Sequence, residues 1–291
     1  MFYSKPSSAD AAALSCAPSR PLSENASLIG PLQRPRPIVD KSKSSAPRSS
    51  AARPQLTDAQ KVERILQAFN TWSFKREQPD SPAGLMEAIS RAVATNTPVP
   101  FVLYWGKGPR SSVGTPEIAC LEFLHSLAER IRAVYAIGAS FKLIFTDTHA
   151  NLNGHAPEAI ESYFASVRAE AGARGFEDCR LSTLVESLQT GGPDNDNNQE
   201  LPDEHTLVRL SECAAKWYRG EGNADQGAVE YFRMNMVEKR AVQHAFPQSI
   251  FITFNGSEFR SLFPDRMPIF YMYSLKRGVS SKPWFLPNVA V

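Results

Sequence analysis

Two short apolar runs, each closed by turn or polar residues and each followed by a helical pattern, constrain this chain more than any other feature. Val99-Pro-Phe-Val-Leu-Tyr-Trp105 is continuous rather than alternating, the pattern of a strand buried on both faces. It breaks at Gly106-Lys-Gly-Pro-Arg110. Thr115-Pro-Glu117 then reads as N-cap, first-turn proline and first-turn acid, opening a helix with Leu121, Leu124 and Ile131 on one side. The order repeats. Ser140-Phe-Lys-Leu-Ile-Phe-Thr146 predicts a second strand, Asp147 to Gly154 a loop, and 156 to about 173 a helix carrying Ile160, Tyr163, Phe164 and Val167. Strand, helix, strand, helix implies right-handed crossovers, so the predicted class is α/β with a mainly parallel sheet.

The rest of the chain extends that plan. Thr57-x-x-Gln60 has capping-box spacing before Val62, Ile65, Leu66 and Phe69, and Ser81-Pro82 opens a helix with Leu85, Ile89 and Val93. Residues 189–203 are polar and turn-rich, a surface loop or an insertion. Helices over about 204–219 and 225–245 form a helical middle section. Ser249 to Phe254 and Met267 to Tyr273 read as strands, with Gly256 and Pro264 between them.

Residues 1–55 differ in kind. They hold 12 serines and 8 of the 22 prolines and carry a net charge of +5, against −3 for the remainder. A Pro/Ser-rich basic arm buries too little apolar surface to offset its ordering entropy, so disorder is expected there and an α/β domain over 56–291. The arm is a plain solvated tail, a docking segment or an organelle presequence. The whole chain is near neutral, with 32 basic and 30 acidic residues, which argues against a nucleic-acid partner. No apolar stretch approaches the length of a membrane span and no secretory core opens the chain. Cys16, Cys120, Cys179 and Cys213 stand far apart, too few for a disulfide scaffold and wrongly spaced for zinc. A reduced, cytoplasmic protein is the expectation, with Cys120 and Cys213 as buried small hydrophobes on helices.

Ligands of open α/β sheets bind beyond the carboxyl ends of the strands. After the first strand, Lys107 and Arg110 flank glycines that let backbone approach a ligand, just ahead of a helix start with free N–H donors. That suits a phosphate or carboxylate, or it is a solvated basic turn. After the second, Asp147 and His149 either handle protons or cap a turn and hydrogen-bond backbone. Five scattered histidines predict no metal site. G-x-S-x-G and G-x-G-x-x-G are both absent, which weakens hydrolase and dinucleotide readings. The tail from Leu275 to Phe285 offers Arg277, Lys282 and Trp284, as a segment folding over a site or as a solvated terminus.

The order of the pieces carries more than any one of them. A Pro-Val-x-Phe-Val-Leu strand precedes a loop with lysine, a Gly-x-Pro-Glu helix start and a Val-Tyr-x-x-Gly-Ala turn at 134–139. A strand then ends in Thr146-Asp147, and a Phe-Pro-x-x-Ile strand at 246–250 precedes a closing Pro283-Trp284. Over about residues 60–180 and 228–286 the chain resembles the pyoverdine/dityrosine biosynthesis family, whose characterised members include isocyanide (isonitrile) synthases. The resemblance implies a Rossmann-like fold and a condensation of an amino acid α-amine with the ketone of ribulose 5-phosphate. It implies no cofactor and no metal. A downstream oxygenase is compatible with such chemistry, but no residue marks it.

The family's Ala-Phe-Pro-Ala-Lys becomes Tyr104-Trp105-Gly106-Lys107 and keeps the lysine. Its Ser-Asp-Gly-Arg becomes Thr146-Asp147-Thr148-His149, keeping the acid and losing the arginine. Asn255 and Phe285 stand where the family has histidines. On this reading Lys107, Asp147 and His149 are catalytic, while Arg110, Asn255, Arg277, Lys282 and Trp284 bind substrate. The competing reading is a catalytically altered or inactive binding or regulatory protein on the same fold.

Overall fold

The Thr57 side chain starts the ordered helices as its spacing predicts. Its hydroxyl accepts from the Gln60 N–H at 3.3 Å, and the Gln60 side chain accepts from the Thr57 N–H at 3.0 Å, opening α1 (Asp58–Phe69). Ser81 caps α2 (Pro82–Thr95), whose chain leaves through Asn96 in the left-handed region at φ 57°. The structure is a computed structural model describing residues 56–106, 109–110, 112–190, 201–272, 274–276 and 279–281. These all fall in one unit, Pro54–Val291. The arm expected to be disordered lies outside the described residues.

Five parallel strands form the sheet: β1 (Val99–Trp105), β2 (Ala139–Phe145), β3 (Glu177–Arg180), β4 (Ile250–Thr253) and β5 (Ile269–Tyr271). Their spatial order is β3-β2-β1-β4-β5. The connections are α3 (Thr115–Arg132), α4 (Asp147–Leu152) with α5 (Pro157–Gly172), then α6 (Leu181–Thr190), α7 (Glu204–Trp217) and α8 (Ala224–Ala245). A 3₁₀ segment, Ser257–Leu262, links β4 to β5. A small hairpin, β6 (Ser274–Lys276) against β7 (Val279–Ser281), follows.

Strand alternation sorts the core into two layers. Phe101, Leu103 and Trp105 of β1, with Phe141, Leu143 and Phe145 of β2, face α1, α2, α3 and α5. Val102, Ile144, Phe251 and Ile269 face the other way, onto Leu181 of α6, Leu210 of α7 and Phe232, Met236 and Val242 of α8. The α/β expectation therefore holds, with helices on both faces of a parallel sheet.

Three expectations need correction, and one strand was not foreseen. Gly114, not Thr115, is the N-cap of α3, because the Glu117 carboxylate takes the Gly114 N–H at 3.0 Å and leaves Thr115 as first helical residue. The expected loop from Asp147 begins as the helix α4, too short to show an apolar period. The polar tetrapeptide Glu177–Arg180 is an edge strand, which needs only one paired side and no apolar alternation. Finally, α6 runs to Thr190, so the polar stretch expected as loop from 189 is helical at its start.

Candidate active site at the switch between β1 and β4

The chain lays β1, β2 and β3 outward in one direction and returns through α6, α7 and α8 to place β4 on the other side of β1. At such a reversal the connections leave in opposite directions and a crevice opens beyond the strand ends. A cavity of about 220 Å³ lies there, walled by Tyr104 and Gly106 of the β1 end, Thr253 to Asn255 of the β4 end, His149 of α4, and Tyr231 and Asn235 of α8.

His149 is the chemical centre of this crevice. Its Nε2 lies 2.8 Å from Oε2 of Glu238, a carboxylate only 1% exposed, while the Thr148 hydroxyl donates to the other oxygen, Oε1. One buried carboxylate thus fixes two consecutive residues of α4. The Tyr231 ring stands edge-on to the imidazole at 5.0 Å between centroids, and Tyr104 does so at 6.2 Å. An imidazole oriented by a carboxylate, with aromatic walls limiting water, is equipped to move a proton.

Tyr104 and Asn235 are the unusual members. The Tyr104 hydroxyl and the Asn235 side-chain oxygen are both buried and have no hydrogen-bond partner among the described residues. Burial, then the Glu238 carboxylate and then Tyr231 push the Tyr104 phenol well above its ordinary value, so it stays protonated. Tyr231 is raised as well, by burial first and then Glu238.

A second, more apolar cavity of about 310 Å³ adjoins the first, with Tyr231 and Asn255 in both walls. Leu152, Leu210, Ala214, Ala228 and Phe259 supply its apolar surface. Cys213 also lines it. That cysteine is exposed rather than buried as expected, because α7 packs through Leu210 and leaves position 213 on an open side.

The remaining site candidates are distributed as follows. Asp147 is 5% exposed, but its carboxylate accepts from the Ser182 N–H at 3.1 Å and the Ser182 hydroxyl at 2.5 Å, with Arg180 at 3.8 Å. It joins α4 to the start of α6 and does not line the crevice. Arg110 is about half exposed, with Nε 3.7 Å from the fully buried Glu117. That carboxylate also receives the Gly114 N–H and the Tyr163 hydroxyl, so the α3 terminus expected to offer free donors is capped by its own acid. Asn255 lines both cavities, its N–H donating to the Thr253 hydroxyl at 3.0 Å. Lys107, Arg277, Lys282 and Trp284 lie outside the described residues. The structure thus brings His149 and Asn255 to one crevice and directs Asp147 and Arg110 elsewhere.

Sequence reasoning missed Tyr104, Tyr231, Asn235 and Glu238. The signal was on α8: Tyr231, Asn235 and Glu238 are spaced by four and three residues, on one helical side interleaved with Phe232 and Met236.

No family model matches the chain, and no curated protein matches it. Among solved structures, the PvcA protein from Pseudomonas aeruginosa superposes with a TM-score of 0.54 over 77% of this chain and 87% of that one, at 16% identity. The chain shares the fold of PvcA. At that identity the PvcA likeness speaks for architecture alone. Among the described residues no helix is long and apolar enough to cross a membrane, and no three His, Cys, Asp or Glu side chains gather as a metal-binding group.

Proposed function

We propose that this chain is an isocyanide-synthase-like enzyme that condenses the α-amine of an amino acid with the ketone of ribulose 5-phosphate. The observation that carries the reading is the His149–Glu238 pair at the switch-point crevice. The PvcA fold and the co-linear resemblance to the isocyanide-synthase family support it. The adjoining apolar cavity suits an apolar side chain while the reacting amine sits in the polar crevice.

In this scheme His149 takes a proton from the ammonium group. The freed nitrogen attacks the ketone carbon, forming the C–N bond. The carbonyl oxygen gains two protons, one from the attacking nitrogen and one returned by His149, and leaves as water, giving a protonated imine. Glu238 orients His149 and stabilises its protonated form. Asn255 hydrogen-bonds substrate at the β4 end. Lys107, Arg110, Arg277, Lys282 and Trp284 are assigned to the phosphosugar from the sequence alone, Arg110 by exchanging Glu117 for the phosphate. Asp147 acts through α4, as a positioning residue.

The test is incubation with each proteinogenic amino acid plus ribulose 5-phosphate, followed by mass spectrometry for an isonitrile. An isonitrile from at least one amino acid is expected, and none from any would refute the reading. Engagement of Asp147 by Ser182, and of Arg110 by Glu117, favours the second reading, a binding or regulatory protein. Saturable binding of both substrates without product would support that one.

A further inference from the structure

A buried polar atom without a partner costs stability, roughly 1–3 kcal/mol, so its persistence needs a reason. Two such atoms belong to residues that line one crevice here, the Tyr104 hydroxyl and Oδ1 of Asn235. Both can accept a hydrogen bond, and Asn235 Oδ1 can do nothing else. Among the described residues lining the crevice there is no lysine or arginine, and the carboxylate of Glu238 lies behind His149. Among the described residues the charge at this crevice is therefore that of the Glu238 carboxylate, and the free valences are two acceptor oxygens and the Tyr104 O–H. An anionic group would meet oxygen lone pairs and a carboxylate. A neutral hydroxyl would satisfy the acceptors without using the charge. A protonated amine answers both, and the rings of Tyr104, Tyr231 and Phe251 suit a cation.

We propose that Tyr104 and Asn235 form a subsite for a protonated primary amine, whose N–H groups donate to the Tyr104 oxygen and to Asn235 Oδ1. The inference rests on the function proposed above only in equating that amine with the amino acid's own. Held there, the amine sits beside the imidazole that would deprotonate it. The subsite also explains why Asn235 is buried on α8 beside Phe232 and Met236.

Calorimetry on the full chain tests this with three probes of one apolar body: 2-phenylethylamine, 2-phenylethanol and 3-phenylpropionate. The amine should bind at least about tenfold tighter than the alcohol, and the acid should not compete with it. Tyr104→Phe and Asn235→Leu should each weaken the amine by about 10- to 100-fold, the range for a hydrogen bond to a charged group. Their melting temperatures should stay level or rise, because each removes an unpaired buried atom. If Asn235→Leu does not fold, Tyr104→Phe decides alone. No amine binding, alcohol binding as tight as amine, or wild-type amine affinity in a folded variant would overturn the subsite. Amine binding of the expected pattern without any isonitrile would leave the subsite standing and refute the reaction. Isonitrile formation with unaltered amine affinity in both variants would do the reverse.

Discussion

Single side chains in this protein divide between holding elements together and facing the crevice, and substitution separates the two roles. Asp147 holds α4 to α6 through Ser182. Asp147→Ala strands the Ser182 N–H and hydroxyl and should lower stability by about 1–3 kcal/mol in chemical denaturation. Asp147→Asn should keep isonitrile formation within a few-fold of wild type. Glu238→Gln preserves shape but removes the charge that orients His149. Turnover should fall by about 10²–10⁴-fold in single-turnover assays with little change in substrate affinity. The cysteines offer a contrast independent of activity. Burial pushes the Cys179 thiol up to about 11, opposed by Lys142, while Cys213 is exposed. With Cys16 replaced by serine, a thiol reagent at pH 8 should label Cys213 alone, with Cys179 and Cys120 reacting only on unfolding. The sign for stability follows. Because the folded Cys179 thiol ionises above its ordinary value of 9.0, its contribution is complete below that pH and is lost as pH rises towards 11.

Among the elements, α3 shows how a buried acid anchors a helix start. Glu117 is fully buried and satisfies Gly114, whereas Arg110 is half exposed and 3.7 Å away. Glu117→Ala should therefore cost about 2 kcal/mol, and Arg110→Ala no more than about 1 kcal/mol, by urea unfolding. The same physics explains what could be read before the fold was seen. Helices α1 and α2 and strands β1 and β2 were legible because each carries a full apolar period and its own cap or turn. Strand β3 was not, since an edge strand of Glu, Asp, Cys and Arg draws its pairing from β2 rather than from its own side chains. His149 was legible as a polar residue beyond a strand end, and Asn255 only through the family resemblance. Glu238 and Asn235 were not, because in sequence they resemble the solvent side of an amphipathic helix. Only the packing of α8 over the β1 and β4 ends makes them interior.

For the molecule as a whole, the composition of residues 1–55 predicts that they contribute little to stability. A chain shortened to begin at Gln55 should melt within a few degrees of the full one by calorimetry, and a large drop would show that the arm packs on the domain. The strand order bears on how the protein is made. β1 is the central strand, yet Phe101 to Leu103 find their β4 partners, Ile250 to Ile252, only about 150 residues later. While the ribosome adds those residues, β1 is the last strand of an unfinished sheet, with seven residues and no charge among them. Pro100 interrupts its donors at one position and nothing else guards it. At ordinary elongation rates that edge stays open for roughly 10–30 s. The seam that gives the finished protein its crevice is thus, in the nascent chain, the place most open to wrong pairing, and a holdase chaperone would have its greatest effect there.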